Sequence, residues 1–314
     1  MISHKQSSYS LGVIGYPLGH SLSPKLHAAA LRASGLHGEY RPYPIPPLPA
    51  GQEALEALIF CLRNGDLDGV NVTIPHKQVV IPYLDDLTPL ALQIGAVNTI
   101  FRSNRELIGD NTDAPGFMAD LYKHFPEACN PLSALVLGAG GSARAVVHAL
   151  TNAGWHILIA ARRPEQAHEI IYGCPFGNQR CKAIGLEALP EFIRSLVNIQ
   201  PKTDDERTTP MQPVLSLIVN TTPVGMNPNK EYSPWPKDLP FPKGAFVYDL
   251  VYNPVDTRLI CAARSAGLEA ANGLGMLIEQ AALAFERWTG IHPSTDALRR
   301  EIAAAVDVPT REEA

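Results

Sequence analysis

The sequence predicts an α/β fold arranged in two domains. Short apolar runs typical of β-strands alternate with amphipathic helical stretches through most of the chain, a pattern typical of parallel strands joined by right-handed crossovers. The 314 residues also exceed what one compact core usually organises. Because a second α/β run begins after a helix predicted over 114–124, we place one domain at 1–113 plus 275–314 and the other at 114–274.

The elements follow from apolar periodicity between turn residues. The first half predicts strands over 11–16, 39–43 and 69–73, a strand pair near 98–102 and 106–109, and helices over 24–34 and 50–63. The second half predicts strands over 133–137, 156–160, 216–220, 246–250 and 268–271, and helices over 142–152, 165–172, 257–266, 275–289 and 295–306. The polar stretch 200–213 has the composition of a flexible surface insertion.

Composition excludes several classes of protein. Lys and Arg total 26 against 31 Asp and Glu, which gives a net charge of −5 without any basic run. Nucleic-acid and membrane-surface partners are therefore not expected. No apolar run is long enough to cross a bilayer and the first ten residues lack an apolar segment, so we expect a cytoplasmic protein. The five cysteines form no CxxC and the histidines no HExxH, so no metal site is expected.

A glycine-rich turn follows the predicted strand at 133–137. The sequence LGAGGSARA places Gly138, Gly140 and Ala143 in a G-x-G-x-x-A pattern between a strand and a helix. The first glycine permits a tight turn, the second lets the backbone approach a diphosphate, and the alanine allows close packing of helix on strand. With the diphosphate at the helix N-terminus, the motif predicts a Rossmann-like, doubly wound dinucleotide-binding domain.

The tip of the next strand indicates which dinucleotide binds. A NAD site carries Asp or Glu there for the ribose 2′-hydroxyl, but this tip reads Ala161, Arg162 and Arg163. Guanidinium groups pair with a 2′-phosphate in planar forks, so NADP is the expected cofactor. Glu165 is the nearest acid, and it keeps a role with NAD open.

Polar side chains gather at strand ends and turns of the first domain, where the carboxyl ends of strands converge on one cleft. Ser23 is positioned as the N-cap of a helix that begins at Pro24, and Ser21 beside it completes a neutral site for a small carboxylate. Lys77 is a candidate catalytic ammonium, although a solvated lysine at a loop end is the ordinary alternative. The set is Ser21, Ser23, Thr73, Lys77, Asn98 and Asp113, the last of which is also suited to capping a helix.

Eight ordered motifs resemble the shikimate dehydrogenase family: SLSPKLHAAAL, GVNVTIPHK, GAVNTI, GDNTDAPGF, LGAGGSARA, NTTPVGM, YDLVYNP and GLGMLIEQAALAFERW. They extend from about residue 11 to residue 290. The resemblance implies an NADP-dependent, reversible interconversion of 3-dehydroshikimate and shikimate, a step in chorismate and aromatic amino-acid biosynthesis. It also implies that 1–113 plus 275–314 form the substrate domain and that 114–274 form the NADP-binding domain.

The resemblance implies roles for particular residues. Lys77 and Asp113 match the catalytic pair. Ser21 and Ser23 match the hydroxyls that bind the substrate carboxylate, with Tyr252 placed to assist them. The ring hydroxyls of the substrate would be bound by Thr73, Asn98 and Gln280. The cofactor would be contacted by Gly138, Ala139, Gly140, Gly141, Ser142, Ala143, Ala161, Arg162, Arg163, Thr221, Leu250, Gly273 and Met276.

One departure from the family affects cofactor choice. The usual Asn-Arg-Thr at the second strand tip is here Ala161, Arg162, Arg163, which retains the arginine and leaves the strictness of NADP preference open. The alternatives are a quinate/shikimate dehydrogenase that uses NAD, a non-catalytic nucleotide-binding regulator on the same fold, and a dehydrogenase acting on an amino acid or folate. Monomer and homodimer are both open.

Overall fold

The computed structural model describes residues 8–129, 132–197 and 215–306, and the predicted insertion at 200–213 lies outside them. The chain divides into two compact units. Unit 1 comprises Met1–Phe117 and Leu277–Ala314, and unit 2 comprises Met118–Met276. Unit 1 is therefore discontinuous in sequence, whereas unit 2 is one continuous segment. In the part of the chain that is described, no helix has both the length and the apolar character needed to cross a membrane.

The elements alternate along the chain. The first part forms β1 (Tyr9–Gly15), α1 (Ser23–Ala33), β2 (Gly38–Pro44), α2 (Gln52–Asn64), β3 (Gly69–Val72), β4 (Asp86–Leu87), α3 (Pro89–Ile94), β5 (Thr99–Ser103), β6 (Glu106–Asp110) and α4 (Asp113–His124). The second part forms β7 (Ser133–Leu137), α5 (Gly141–Asn152), β8 (His156–Ala161), α6 (Pro164–Gly173), α7 (Gly177–Arg180), β9 (Cys181–Gly185), α8 (Leu189–Val197), β10 (Leu215–Asn220), β11 (Phe246–Asp249), α9 (Arg258–Ser265), β12 (Ala270–Asn272), α10 (Leu274–Thr289) and α11 (Thr295–Val306).

Unit 1 contains a mixed six-stranded sheet in the order β2-β1-β3-β5-β6-β4. All neighbouring pairs are parallel except β3–β5 and β5–β6, so β5 alone in this sheet runs against the others. The helix α2 buries Leu55, Leu58, Ile59 and Leu62, which recur with helical spacing on one face. It ends at Gly65, whose φ of 82° is the left-handed conformation that glycine adopts without strain. These side chains form the core of the unit with sheet residues of β1, β3 and β5.

Unit 2 contains a fully parallel six-stranded sheet in the order β12-β11-β10-β7-β8-β9. The chain starts at the centre with β7, adds β8 and β9 on one side, and then adds β10, β11 and β12 on the other. The strand order therefore reverses between β7 and β10. In doubly wound sheets, ligands bind outside the carboxyl ends of the strands at such a reversal. A ligand-binding site is therefore expected at the loops that follow β7, β10 and β11.

The predicted α/β class and its two-part organisation are confirmed, and each predicted element ends within two residues of its observed limits. The prediction of parallel strands holds for every strand except β5. Five elements were missed: β4, α3, α7, β9 and α8. The helix α3 had a readable start, because Thr88 caps it by accepting from the Ala91 N–H and Pro89 follows. At six residues, however, α3 is too short to show helical periodicity.

Candidate active site

Lys77 and Asp113 form a buried ion pair in unit 1. Lys77 lies in the turn that follows β3, and Asp113 is the first residue of α4. The Nζ of Lys77 donates to Asp113 Oδ2, and only 11% and 6% of the two side chains are exposed. Removing two charged groups from water costs free energy, which the ion pair offsets only where further hydrogen bonds hold the groups in place. The alternative of a solvated lysine is therefore wrong: Lys77 presents an ammonium of fixed position.

Asn98 joins Asp113 to Thr112 and Gln280 through the hydrogen bonds of its side chain. Its Nδ2 lies 2.9 Å from Asp113 Oδ1, 2.8 Å from Thr112 Oγ1 and 3.2 Å from Gln280 Oε1. Its Oδ1 accepts from the Thr112 N–H at 2.8 Å. Asn98 lies immediately before β5 rather than on the strand. Four of the predicted site residues, Lys77, Asn98, Asp113 and Gln280, are therefore brought into one hydrogen-bonded group.

Asn111 performs the capping that the sequence suggested for Asp113. Its Oδ1 accepts from the N–H groups of Asp113 and Ala114 at 3.1 and 3.3 Å, the contacts that an N-cap side chain makes. Its own Nδ2 donates to the carbonyl of Ala96 at 2.9 Å. Asp113 is thus relieved of capping, and its carboxylate is free to hold Lys77. The polar GDNTD run before the helix was the signal for this role.

The predicted carboxylate site lies at the start of α1. The expectation that Ser23 caps a helix beginning at Pro24 is wrong, because the helix begins at Ser23 itself and Leu22 occupies the N-cap position without a side-chain hydrogen bond. Ser23 is buried, Ser21 is half-buried, and Ser21 Oγ accepts from the Ser23 N–H at 3.3 Å. Among the described residues, no hydrogen bond joins Ser21, Ser23 or Thr73 to the Lys77 group through their side chains.

A series of buried hydrogen bonds connects β2 and β3 to Asn98, and it was not predicted from the sequence. Tyr40 donates to Asn71 Oδ1 at 2.8 Å. The amide of Asn71 donates to the Asn98 carbonyl and to Thr99 Oγ1, both at 3.2 Å, and Thr99 donates to Asn98 Oδ1 at 3.1 Å. An asparagine in a strand that is otherwise apolar and fully buried was the available signal, because a buried amide needs partners.

The glycine-rich turn of unit 2 has the geometry that its motif predicts. Gly138 has a φ of 109°, and a Cβ there would lie 2.7 Å from Thr221 Oγ1. Gly140 occupies the N-cap position of α5 without a side-chain cap, and a Cβ on it would meet nothing within 4 Å. Ala143 is fully buried where the helix packs. The N-terminus of α5 is therefore left open to an anionic group.

The tip of β8 carries exposed cations. Ala161 is the buried last residue of the strand, and Arg162 and Arg163 follow it with exposed side chains. No carboxylate in the described ranges pairs with either arginine. An uncapped helix start beside free guanidinium groups fits a dinucleotide whose adenosine ribose carries a phosphate. The residues present are therefore compatible with NADP.

The other residues predicted to contact the cofactor lie beyond the carboxyl ends of β10, β11 and β12. Thr221 follows β10 and donates to the Leu137 carbonyl at 2.7 Å. Leu250 follows β11, and its N–H donates to the Asn220 carbonyl at 2.9 Å. A Cβ on Gly273 would lie 2.1 Å from the Leu250 carbonyl oxygen, so only glycine fits there. Met276 is buried in α10, and Tyr252 is half-buried after β11.

Asp249 joins these loops through its buried carboxylate. Its Oδ1 accepts from Asn220 Nδ2 at 2.8 Å and from the Val251 N–H at 3.0 Å, and its Oδ2 accepts from Thr257 Oγ1 at 2.6 Å. We call these residues the Asp249 cluster. Burial raises the pKa of Asp249 to about 6 in spite of the three hydrogen bonds. This group was not predicted from the sequence, although an acid that ends a buried strand is uncommon.

The raised pKa makes the stability of the protein depend on pH. The ordinary pKa of an aspartate is 3.8, so between this value and about pH 6 the folded state keeps a proton that the unfolded state has lost. The contribution of Asp249 to stability therefore falls as the pH rises through this range. Relative to Asp249→Asn, the wild-type free energy of unfolding is expected to fall by about 1 kcal/mol between pH 5 and pH 7.5. Urea unfolding followed by circular dichroism measures this. Asp256→Asn, at an exposed site, is the control, and an unchanged difference at the two pH values would contradict the expectation.

Nearly the whole chain is similar to known proteins. Residues 13–100 match the model of the shikimate dehydrogenase substrate binding domain, and residues 273–302 match that of the shikimate 5′-dehydrogenase C-terminal domain. A protein of Symbiobacterium thermophilum named shikimate dehydrogenase (NADP(+)) is 39% identical over 95% of this chain and 94% of its own.

Solved structures of similar proteins share the fold. The shikimate 5-dehydrogenase of Thermus thermophilus in complex with NADP(H) and shikimate has a TM-score of 0.73 at 36% identity, covering 95% of this chain and 99% of that one. A quinate dehydrogenase of Corynebacterium glutamicum in complex with NAD has a TM-score of 0.79 at 28% identity, covering 95% and 99%. Together with the glycine-rich turn and the buried Lys77–Asp113 pair, these matches show that the chain belongs to the shikimate dehydrogenase family.

Proposed function

We propose that the chain catalyses the reversible, NADP-dependent reduction of 3-dehydroshikimate to shikimate, a step in chorismate and aromatic amino-acid biosynthesis. The observation that carries the proposal is the buried Lys77–Asp113 ion pair, held by Asn98. It occurs in a chain that matches relatives named shikimate dehydrogenase (NADP(+)) over more than nine tenths of its length. Unit 1 is then the substrate-binding unit, and unit 2 binds NADP.

The reaction moves a hydride and a proton, and the protein residues handle the proton. NADP, when bound, supplies or accepts the hydride. In the direction of reduction, the ammonium of Lys77 stabilises negative charge on the substrate oxygen and donates a proton to it. In the direction of oxidation the same step runs in reverse: the neutral amine of Lys77 takes the proton from the hydroxyl and becomes the ammonium. Asp113 holds Lys77 in line and balances its charge in a site that excludes most water.

The polar groups around this pair suit a small polyhydroxylated carboxylate. Asn98 and Gln280 present amide groups beside the pair and are proposed to bind ring hydroxyls, together with Thr73. Ser21 and Ser23 are proposed to bind the carboxylate at the start of α1, where the helix dipole favours a negative charge. Tyr252 is proposed to assist in binding the carboxylate.

On the cofactor side, segment 138–143 is proposed to hold the diphosphate, and Arg162 with Arg163 the 2′-phosphate. Replacing both arginines with alanine removes charge-assisted hydrogen bonds, each worth about 1.5 to 3 kcal/mol. We expect the KM for NADP(H) to rise at least about tenfold while the KM for NAD changes little. Steady-state kinetics with both cofactors measure this, with Arg194→Ala at an exposed position of α8 as the control. Equal changes for NADP and NAD would remove the arginines from cofactor choice.

The decisive test of the function is a set of initial rates with shikimate and with quinate, each with NADP and with NAD. The proposal predicts the highest kcat/KM for shikimate with NADP. A higher kcat/KM for quinate with NAD would make the protein a quinate dehydrogenase, an alternative favoured by its likeness to the structure of one bound to NAD. Absence of shikimate-dependent NADPH formation would favour a nucleotide-binding regulator. A cytoplasmic location and a monomeric or homodimeric state stay predictions.

A further inference from the structure

We propose that Asp249 is a positioning residue for the nicotinamide half of the cofactor. It fixes the turns that carry Thr221 and Leu250 by accepting hydrogen bonds from three separate points of unit 2. The inference rests on the proposed use of NADP. Asp249 itself is fully buried and is not expected to touch the cofactor. Its effect passes through the backbone on which the neighbouring residues are placed.

The first turn is held through Asn220. The Oδ1 of Asn220 accepts from the N–H of Thr222 at 2.9 Å and from its hydroxyl at 2.7 Å, and its Nδ2 donates to the Val224 carbonyl at 3.3 Å. The same Nδ2 donates to Asp249 at 2.8 Å. The side chain of Asn220 therefore closes the turn at 220–224, and Asp249 sets the orientation of that side chain.

The second turn is held directly. The Val251 N–H donates to Asp249, while the carbonyl of Val251 accepts from the Gly273 N–H at 3.2 Å. The hydroxyl of Thr257 donates to Asp249 and at the same time accepts from the Ile260 N–H at the start of α9. The carboxylate thus ties the residue after Leu250 to the helix that ends this loop.

The position of Asp249 in the sheet confines its proposed effect to the nicotinamide half of the cofactor. Asp249 ends β11, next to β10, whereas Arg162 and Arg163 follow β8. The steps from β11 to β10, β7 and β8 span about 14 Å at the usual spacing of neighbouring strands. Loss of the Asp249 cluster should therefore disturb the nicotinamide end and leave the adenosine end in place.

Two substitutions distinguish the effect of the hydrogen bonds of Asp249 from the effect of its charge. Asp249→Ala leaves the donors from Asn220, Val251 and Thr257 without an acceptor. In Asp249→Asn, the amide oxygen accepts the first two bonds and the amide N–H can donate to the Thr257 hydroxyl. The geometry of the turns is then kept without the charge. We expect alanine to misplace the turns and asparagine to restore them.

The test is steady-state kinetics combined with binding of two probes, NADPH and adenosine 2′,5′-bisphosphate, which represents the adenosine half alone. Asp249→Ala is expected to lower kcat/KM for NADP(H) at least about tenfold, since small displacements near a reacting atom are costly. Its affinity for the bisphosphate is expected to stay at the wild-type value. Asp249→Asn is expected to stay within about threefold of wild type in both quantities. The control is Asp256→Asn.

Other outcomes overturn the inference. Equal losses of affinity for NADPH and the bisphosphate in Asp249→Ala would show a general structural role, and wild-type kinetics in that variant would show no role. If the alanine variant does not fold, Thr257→Val removes one donor without changing shape, and wild-type kinetics there would also overturn the inference. If the wild type binds NADPH but does not oxidise shikimate, the proposed function fails, and the two affinities still decide the role of Asp249.

Discussion

Lys77→Ala is expected to lower kcat at least about 100-fold, because a positioned acid–base group contributes about 10² to 10⁴ in rate. The KM for shikimate is expected to change much less, since the ammonium is needed most when charge develops on the substrate oxygen. The structure supports this difference, because Lys77 is paired with Asp113 and almost buried, whereas Ser21 and Ser23, which are proposed to bind the carboxylate, lie at the start of α1 and are left unchanged by the substitution.

The measurement is initial rates of NADPH formation over a range of shikimate concentrations. Lys243→Ala, at an exposed turn of unit 2, is the matched control and should behave as wild type. A kcat of Lys77→Ala near the wild-type value would take Lys77 out of the chemistry. Circular dichroism at the assay temperature shows that the variant is folded.

Asp113→Ala is expected to lower the free energy of unfolding by about 3 to 5 kcal/mol, the range found when one partner of a buried ion pair is removed. The ammonium of Lys77 would remain in a site that admits little water, and Asn98 would lose an acceptor. Activity is expected to fall with it, because Lys77 is no longer held in line. Urea unfolding of the two proteins measures the difference.

Two further variants identify the cause of the stability loss expected in Asp113→Ala. Asp66→Ala, at an exposed position, should change stability by less than about 0.5 kcal/mol. The double variant Lys77→Ala, Asp113→Ala should be more stable than Asp113→Ala alone, because no buried charge is left unpaired. If the double variant is the less stable of the two, the loss comes from a cavity and not from the ammonium.

The glycine-rich turn and the elements around it could be predicted because their signals are local. Gly138, Gly140 and Ala143 are separated by fixed short intervals, and the strand before them is uniformly apolar after its first residue. The start of α1 shows the limit of local signals. Serine before proline is a good cap in sequence, yet the backbone turns one residue earlier and Leu22 takes that position.

The contacts between the site residues could not be predicted from local spacing, because their partners come from distant parts of the chain, and only the family resemblance placed Asn98 and Gln280 in one site. Gln280 meets Asn98 across 182 residues, and Asn71 meets Thr99 across 28. No spacing rule connects such positions, and an isolated asparagine in sequence is equally suited to a turn. The same holds for Asp249, whose burial depends on the sheet that forms around it.

The discontinuity of unit 1 bears on the order in which the protein is made. Unit 2 is one continuous segment, so all of it has left the ribosome when residue 276 has emerged. Unit 1 must wait for Leu277 and the residues that follow, although its strands are synthesised first. Gln280 bonds to Asn98, and Trp288 donates to the Ile100 carbonyl at 3.0 Å, both from this late segment. The half that carries Lys77 is therefore begun first during synthesis and completed last.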